Sequence, residues 1–144
     1  MKLLVSILLC VSTSAIAWTP VLGYPEALYQ MTGKLIESSG SFKNNVELVY
    51  APSKEVYGLS FFNRSRADQA VLPSGEYQLR ACQQYADGVI SGPNMLMTND
   101  NAATFTNILS NCDQAIFIRV YDEVGNFATY RFDNTHSRTF KEIQ

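Results

Sequence analysis

The stretch PEALYQMTGKLIE, residues 25–37, decides between two folds. Pro25 followed by Glu26 can open a helix, and Leu28, Met31 and Leu35 then share one helical face. Gly33 in the middle costs such a helix about 1 kcal/mol relative to alanine. Read with a period of two, the same residues set Tyr29, Met31, Gly33 and Leu35 on one side of a strand. The balance favours a short helix or irregular lead-in from Pro25, followed by a strand from Gly33 to Glu37. The helix would make an α+β fold, one helix on an antiparallel sheet, the alternative to a mainly β fold.

Downstream the chain is strand-rich. Val46 to Tyr50 reads as a strand between Asn44-Asn45 and Ala51-Pro52-Ser53, both suited to turns. VYGLSFF, residues 56–62, reads as an aromatic strand in which Gly58 is a candidate bulge. In Glu76 to Cys82, Tyr77 and Leu79 face one way and Gln78 and Arg80 the other. Asp87-Gly88 reads as a turn before a short strand at Val89-Ile90, and Phe105 to Leu109 is one short apolar element. Ala115 to Tyr121 and Phe127 to Phe132, joined by Asp122 to Asn126, form the best-defined hairpin. There Ile116, Ile118 and Val120 make a core face. Short strands with turns about every 8–12 residues point to a small antiparallel β-sandwich or barrel.

The N-terminus has a basic Lys2, an apolar run from Leu3 to Val11 and a small-residue end, Ala15-Ile16-Ala17. This is the layout of a secretory signal peptide over residues 1–17, with residues 18–144 as a single β-rich secreted domain. The run is shorter than the roughly 20 apolar residues a membrane span needs. Cys10 after Leu8-Leu9 invites a lipoprotein reading, which lacks a small residue just before the cysteine. Removing the signal leaves Cys82 and Cys112, and an even pair in an exported chain reads as one disulfide. A zinc site would be short of ligands, with one histidine and no CxxC. The expected location is extracellular, or periplasmic in a bacterium. Asn63-Arg64-Ser65 is a glycosylation sequon, so Asn63 carries a glycan only in a eukaryotic setting.

Without Lys2 the chain holds 10 basic and 13 acidic residues, a mildly acidic balance that favours neither nucleic acid nor an anionic membrane. His136 is the lone histidine and lies in the polar stretch Asp133 to Ser137, where a surface role outweighs a catalytic one. Neither pairing of carboxylates, Asp122 with Glu123 or Glu37 with Glu47, is placed by sequence across a cleft, as a glycosidase requires. Asp100 and Asn101 are the candidate metal ligands. Asp100 to Thr104 resembles the acidic-x-x-hydroxyl loop of βγ-crystallin-like calcium domains, but Phe105 stands where that loop ends in serine. No metal or other cofactor is expected.

Arg119-Val120, a turn, a strand and then Thr135-His136 resemble the closing hairpin of secreted guanyl-specific fungal ribonucleases. The resemblance spans about twenty residues and implies Arg119 and His136 acting on RNA. It lacks a recognisable glutamate-bearing segment and the glycine expected after the histidine. The leading expectation is a non-enzymatic binding domain, an effector, inhibitor or accessory subunit. It would grip another protein through Phe117, Arg119, Tyr121, Phe127 and Arg131, the chemistry of interface hot spots. Tyr50, Tyr57, Phe61 and Phe62 belong either to that surface or to the core. A barrel holding an apolar ligand or Ca²⁺ is a further alternative. Oligomeric state is left open by the sequence.

Overall fold

The computed structural model describes residues 18–39, 42, 45–61, 75–91, 96–97, 102–133, 140 and 142–143. Residues 1–17, on which the signal-peptide expectation rests, lie outside them, as do Asn63, Asp100, Asn101 and His136. The fold is mainly β, with strands β1 (Thr19–Pro20), β2 (Tyr29–Ser38), β3 (Val46–Ala51), β4 (Val56–Ser60) and β5 (Glu76–Ala81). They are followed by β6 (Gln84–Ser91), β7 (Leu96–Met97), helix α1 (Ala102–Asn111), β8 (Ile116–Tyr121) and β9 (Phe127–Phe132).

The deciding stretch is a strand. Residues 25–28 do not form a helix, and β2 runs unbroken from Tyr29, four residues earlier than the sequence places it. The period of two wins because Met31 and Gly33 are buried while Thr32 and Lys34 point outward. Gly33 is there for want of space. A Cβ on it would lie 2.3 Å from Cζ of Phe132, so the ring of β9 occupies the volume a side chain would take.

All strand pairings are antiparallel, in the order β1-β2-β3-β4-β7-β6-β5-β8-β9. The second half of β2 also pairs with β9, Lys34 facing Arg131 and Ser38 facing Ala128, which brings the sheet round into a nearly closed barrel. A register shift between Leu35 and Glu37 leaves Ile36 as a bulge at this closure. Inside the barrel, Leu48, Leu59, Tyr77, Leu79, Ile118, Tyr130 and Phe132 are all but inaccessible. Small residues at Gly33, Ala81, Ala86 and Ala128 make room for the large ones, the usual way small barrels are filled. Burying each of the large side chains contributes about 1.5–3 kcal/mol.

Between β4 and β6 the described residues pair at Gly58–Leu96, joining β4 to β7, and at Ile90–Met97 and Ser91–Leu96, joining β6 to β7. Helix α1 packs beside these strands. Its residues Phe105, Ile108 and Leu109 are buried, and Phe105 stacks on Tyr57 of β4 at 5.0 Å and tilts against Tyr77 of β5 at 5.9 Å. The hydroxyls of Tyr57 and Thr106 share a hydrogen bond of 2.9 Å, and Asn107 Nδ2 donates to Gln84 Oε1 on β6 at 3.1 Å. The Tyr57 phenol is pushed up from its ordinary pKa, chiefly by burial, so it stays a neutral hydrogen-bonding group. Ring contacts continue from Tyr57 to Tyr50, to Trp18 and to Phe140. Tyr50, Tyr57 and Phe61 are therefore core residues and not surface, while Phe62 falls outside the described residues.

The disulfide is present. Cys82 and Cys112 are joined with their Cα atoms 5.9 Å apart, which ties the end of α1 to the β5–β6 turn. That turn corrects another expectation. Asp87 and Gly88 are interior to β6, and the chain reverses instead at Cys82-Gln83, where both residues have positive φ, 47° and 62°. A two-residue turn of this kind matches the twist of the strands it joins, but nothing in its sequence announces it, because the usual residues are asparagine and glycine. Gly58 makes no bulge with β3, since that register is regular from Glu47–Ser60 to Ala51–Val56. The apolar element at Phe105 to Leu109 is part of α1.

Candidate functional site

The β8–β9 hairpin behaves as its sequence indicates. Ile116, Ile118 and Val120 are fully buried, as are Ala128, Tyr130 and Phe132 opposite them, which turns Phe117, Arg119, Tyr121, Phe127, Thr129 and Arg131 outward. The turn between the strands is organised by Asp122. Its Oδ1 accepts from the backbone N–H groups of Val124 at 3.0 Å and Asn126 at 2.8 Å, and its Oδ2 accepts from Asn126 Nδ2 at 2.9 Å. Desolvation raises this carboxyl, and the hydrogen bonds from Asn126, Val124 and Gly125 more than offset it, so its pKa lies below the ordinary value. Gly125 closes the turn with φ of 87°.

Register across the sheet sets two rows on the outer face. One runs Glu37, Thr129, Arg119, Gln78, from β2 through β9 and β8 to β5. The other runs Arg131, Phe117, Arg80, Tyr85, from β9 through β8 and β5 to β6. Arg119 is fully engaged in the first row. Its Nη2 donates to Glu37 Oε2 at 2.8 Å, its Nε donates to Thr129 Oγ1 at 2.9 Å, and its guanidinium lies 4.5 Å from the centre of the Phe127 ring. At this exposure the ion pair contributes at most about 1 kcal/mol and the cation–π contact a similar amount. Their effect is positional: Arg119 holds Phe127, and Phe127 packs at 6.5 Å against Tyr121.

The five residues picked from the sequence thus share one face, in two roles. Arg119, Tyr121 and Phe127 are knitted together, whereas Phe117 is 38% exposed and Arg131 is exposed beside Asp133, 3.3 Å from its Oδ1. Two shallow depressions flank Phe117. One, of about 310 Å³, is lined by Gln78, Arg80, Phe117, Arg119 and Thr129. The other, of about 540 Å³, runs past Arg80 and Phe117 to Gln83, Gln84, Tyr85 and Gln114. Gln78, Arg80, Tyr85 and Thr129 are members of the site that the sequence reading does not nominate. The outward direction of Gln78 and Arg80 is legible in the alternation of β5, but only the β5–β8 pairing puts them beside Phe117 and Arg119.

Other candidates do not assemble. Glu37 is paired with Arg119, while Glu47 accepts from Thr32 Oγ1 at 2.9 Å and 3.0 Å. Desolvation pushes the Glu47 carboxyl above its ordinary pKa, against the Thr32 hydrogen bond. Among the described residues no group of three or more His, Cys, Asp or Glu side chains is placed to hold a metal ion, and no helix is long and apolar enough to cross a membrane. No family model, curated protein or solved structure matches the chain.

Proposed function

We propose that this chain is a secreted binding domain that engages a protein partner through the outer face of β5, β8 and β9. The observation that carries this reading is the preorganised aromatic and arginine face. Phe127 and Tyr121 are held in place by Arg119, and Phe117 stands exposed between two depressions. Aromatic and arginine anchors beside pockets are the residues from which interfaces draw most of their energy. Fixing them before binding lowers the entropy cost of association. The Cys82–Cys112 bridge and the signal-like residues 1–17 support an oxidising, extracytoplasmic setting. Immobilised protein is expected to recover one stoichiometric partner from its native surroundings. Phe117→Ala should weaken that capture at least tenfold, with Tyr121→Ala and Arg119→Ala following in the same direction. Undiminished capture by all three variants overturns the reading.

A second reading, ribonuclease action, gains one observation. Glu37 sits 2.8 Å from Arg119 on the same sheet face and supplies the carboxylate that the hairpin resemblance lacks. His136 lies outside the described residues. This reading expects the purified protein to cleave RNA and His136→Ala to abolish the cleavage; an inert wild-type protein refutes it.

A further inference from the structure

We infer that Arg80 is the anion anchor of this face and that the partner presents an extended acidic segment whose aspartate or glutamate carboxylate it takes. The inference rests on the binding reading above and names the chemistry of the partner. Three arginines stand on the face, and two are already neutralised, Arg119 by Glu37 at 2.8 Å and Arg131 by Asp133 at 3.3 Å. Arg80 has no carboxylate partner among the described residues, although it is exposed and central to the face.

Its surroundings are specific in kind. Arg80 lines both depressions, and neither lining contains a carboxylate. Beside it in the first depression stand the Gln78 amide and the Thr129 hydroxyl, neutral groups able to donate hydrogen bonds. In the cross-strand row Arg80 lies between two exposed rings, Phe117 at 38% and Tyr85 at 50% exposure. A guanidinium fork pairs bidentately with a carboxylate, and flanking rings bury the apolar part of the segment that carries it. Charge complementarity at an otherwise mildly acidic protein selects an acidic partner locally, not through a global field.

The test uses a fluorescent peptide of alternating glutamate and phenylalanine and its glutamine counterpart, followed by anisotropy at low salt. The folded full chain is expected to bind the glutamate peptide at least tenfold more tightly than the glutamine one. Arg80→Gln should erase that preference, Arg80→Lys should retain part of it, and both should keep the wild-type melting temperature because the side chain is exposed. Lys34→Gln, on β2 and outside both depressions, should leave binding unchanged. Equal affinity for the two peptides, no binding of either, or an unaltered preference in Arg80→Gln overturns the inference. So does full displacement by millimolar inorganic phosphate or by heparin, which would assign the site to phosphate or sulfate groups. If Phe117→Ala still abolishes partner capture while Arg80→Gln does not, the binding reading stands and this inference alone fails.

Discussion

Replacing both cysteines by alanine is expected to lower the unfolding free energy by about 3–4 kcal/mol, the loop-closure entropy that a bridge across thirty residues removes from the unfolded chain. The loss should not spread evenly. The bridge holds the end of α1 against the β5–β6 turn, and α1 packs through Phe105 on Tyr57 of β4 and Tyr77 of β5. Amide exchange in α1 and around the β5–β6 turn should therefore speed up more than in β8 and β9, where six cross-strand pairs stand independently of the bridge. Denaturant unfolding measures the first effect and hydrogen exchange the second. A double variant whose midpoint equals that of the oxidised wild type would refute the structural role given to the bridge. Exchange that accelerates uniformly would refute the local action given to the bridge.

The second large effect is expected at Gly33. Its missing Cβ leaves the space that the Phe132 ring fills, with ring atoms 2.3–2.8 Å from where that carbon would sit. Gly33→Ala must therefore displace a fully buried aromatic in a filled barrel, at a cost of about 1–3 kcal/mol. Phe132→Leu alone loses ring contacts and is destabilising for the opposite reason, too little volume. Combined, the two changes should partly cancel, with a coupling of about 0.5–3 kcal/mol in a double-mutant cycle. Strict additivity would show that Gly33 and Phe132 do not compete for the same space.

Much of the barrel is legible in the sequence because most strands bury one face and expose the other. Tyr77 and Leu79 against Gln78 and Arg80 is such a case, and so is Ile116, Ile118 and Val120 against Phe117, Arg119 and Tyr121. Residues 25–37 mislead because leucine and methionine at helical spacing fit both periods. What settles them is the Phe132 ring across the sheet, which no local pattern contains. Helix α1 is legible only as the short apolar element Phe105 to Leu109, although Phe105, Ile108, Leu109 and Cys112 recur at three, four and seven residues and are all buried. The asparagine and threonine residues between them carry low helix propensity and mask that spacing. The Cys82-Gln83 turn was not readable, because its left-handed residues are neither glycine nor asparagine. The site divides in the same way. One hairpin supplies Phe117, Arg119, Tyr121, Phe127 and Arg131 and could be found from sequence, whereas Arg80, Gln78 and Glu37 join only through long-range pairing.

The β2–β9 closure also sets a waiting time. β2 emerges early, yet its second half finds its partner only when residues 128–131 have been made, so it must pass through synthesis with a bare edge. Bare edges recruit other chains, and this one carries the features that discourage them, charged Lys34 and Glu37 and the bulge at Ile36. Contacts between such distant segments place this domain among slow folders, in the millisecond-to-second range typical of β topologies.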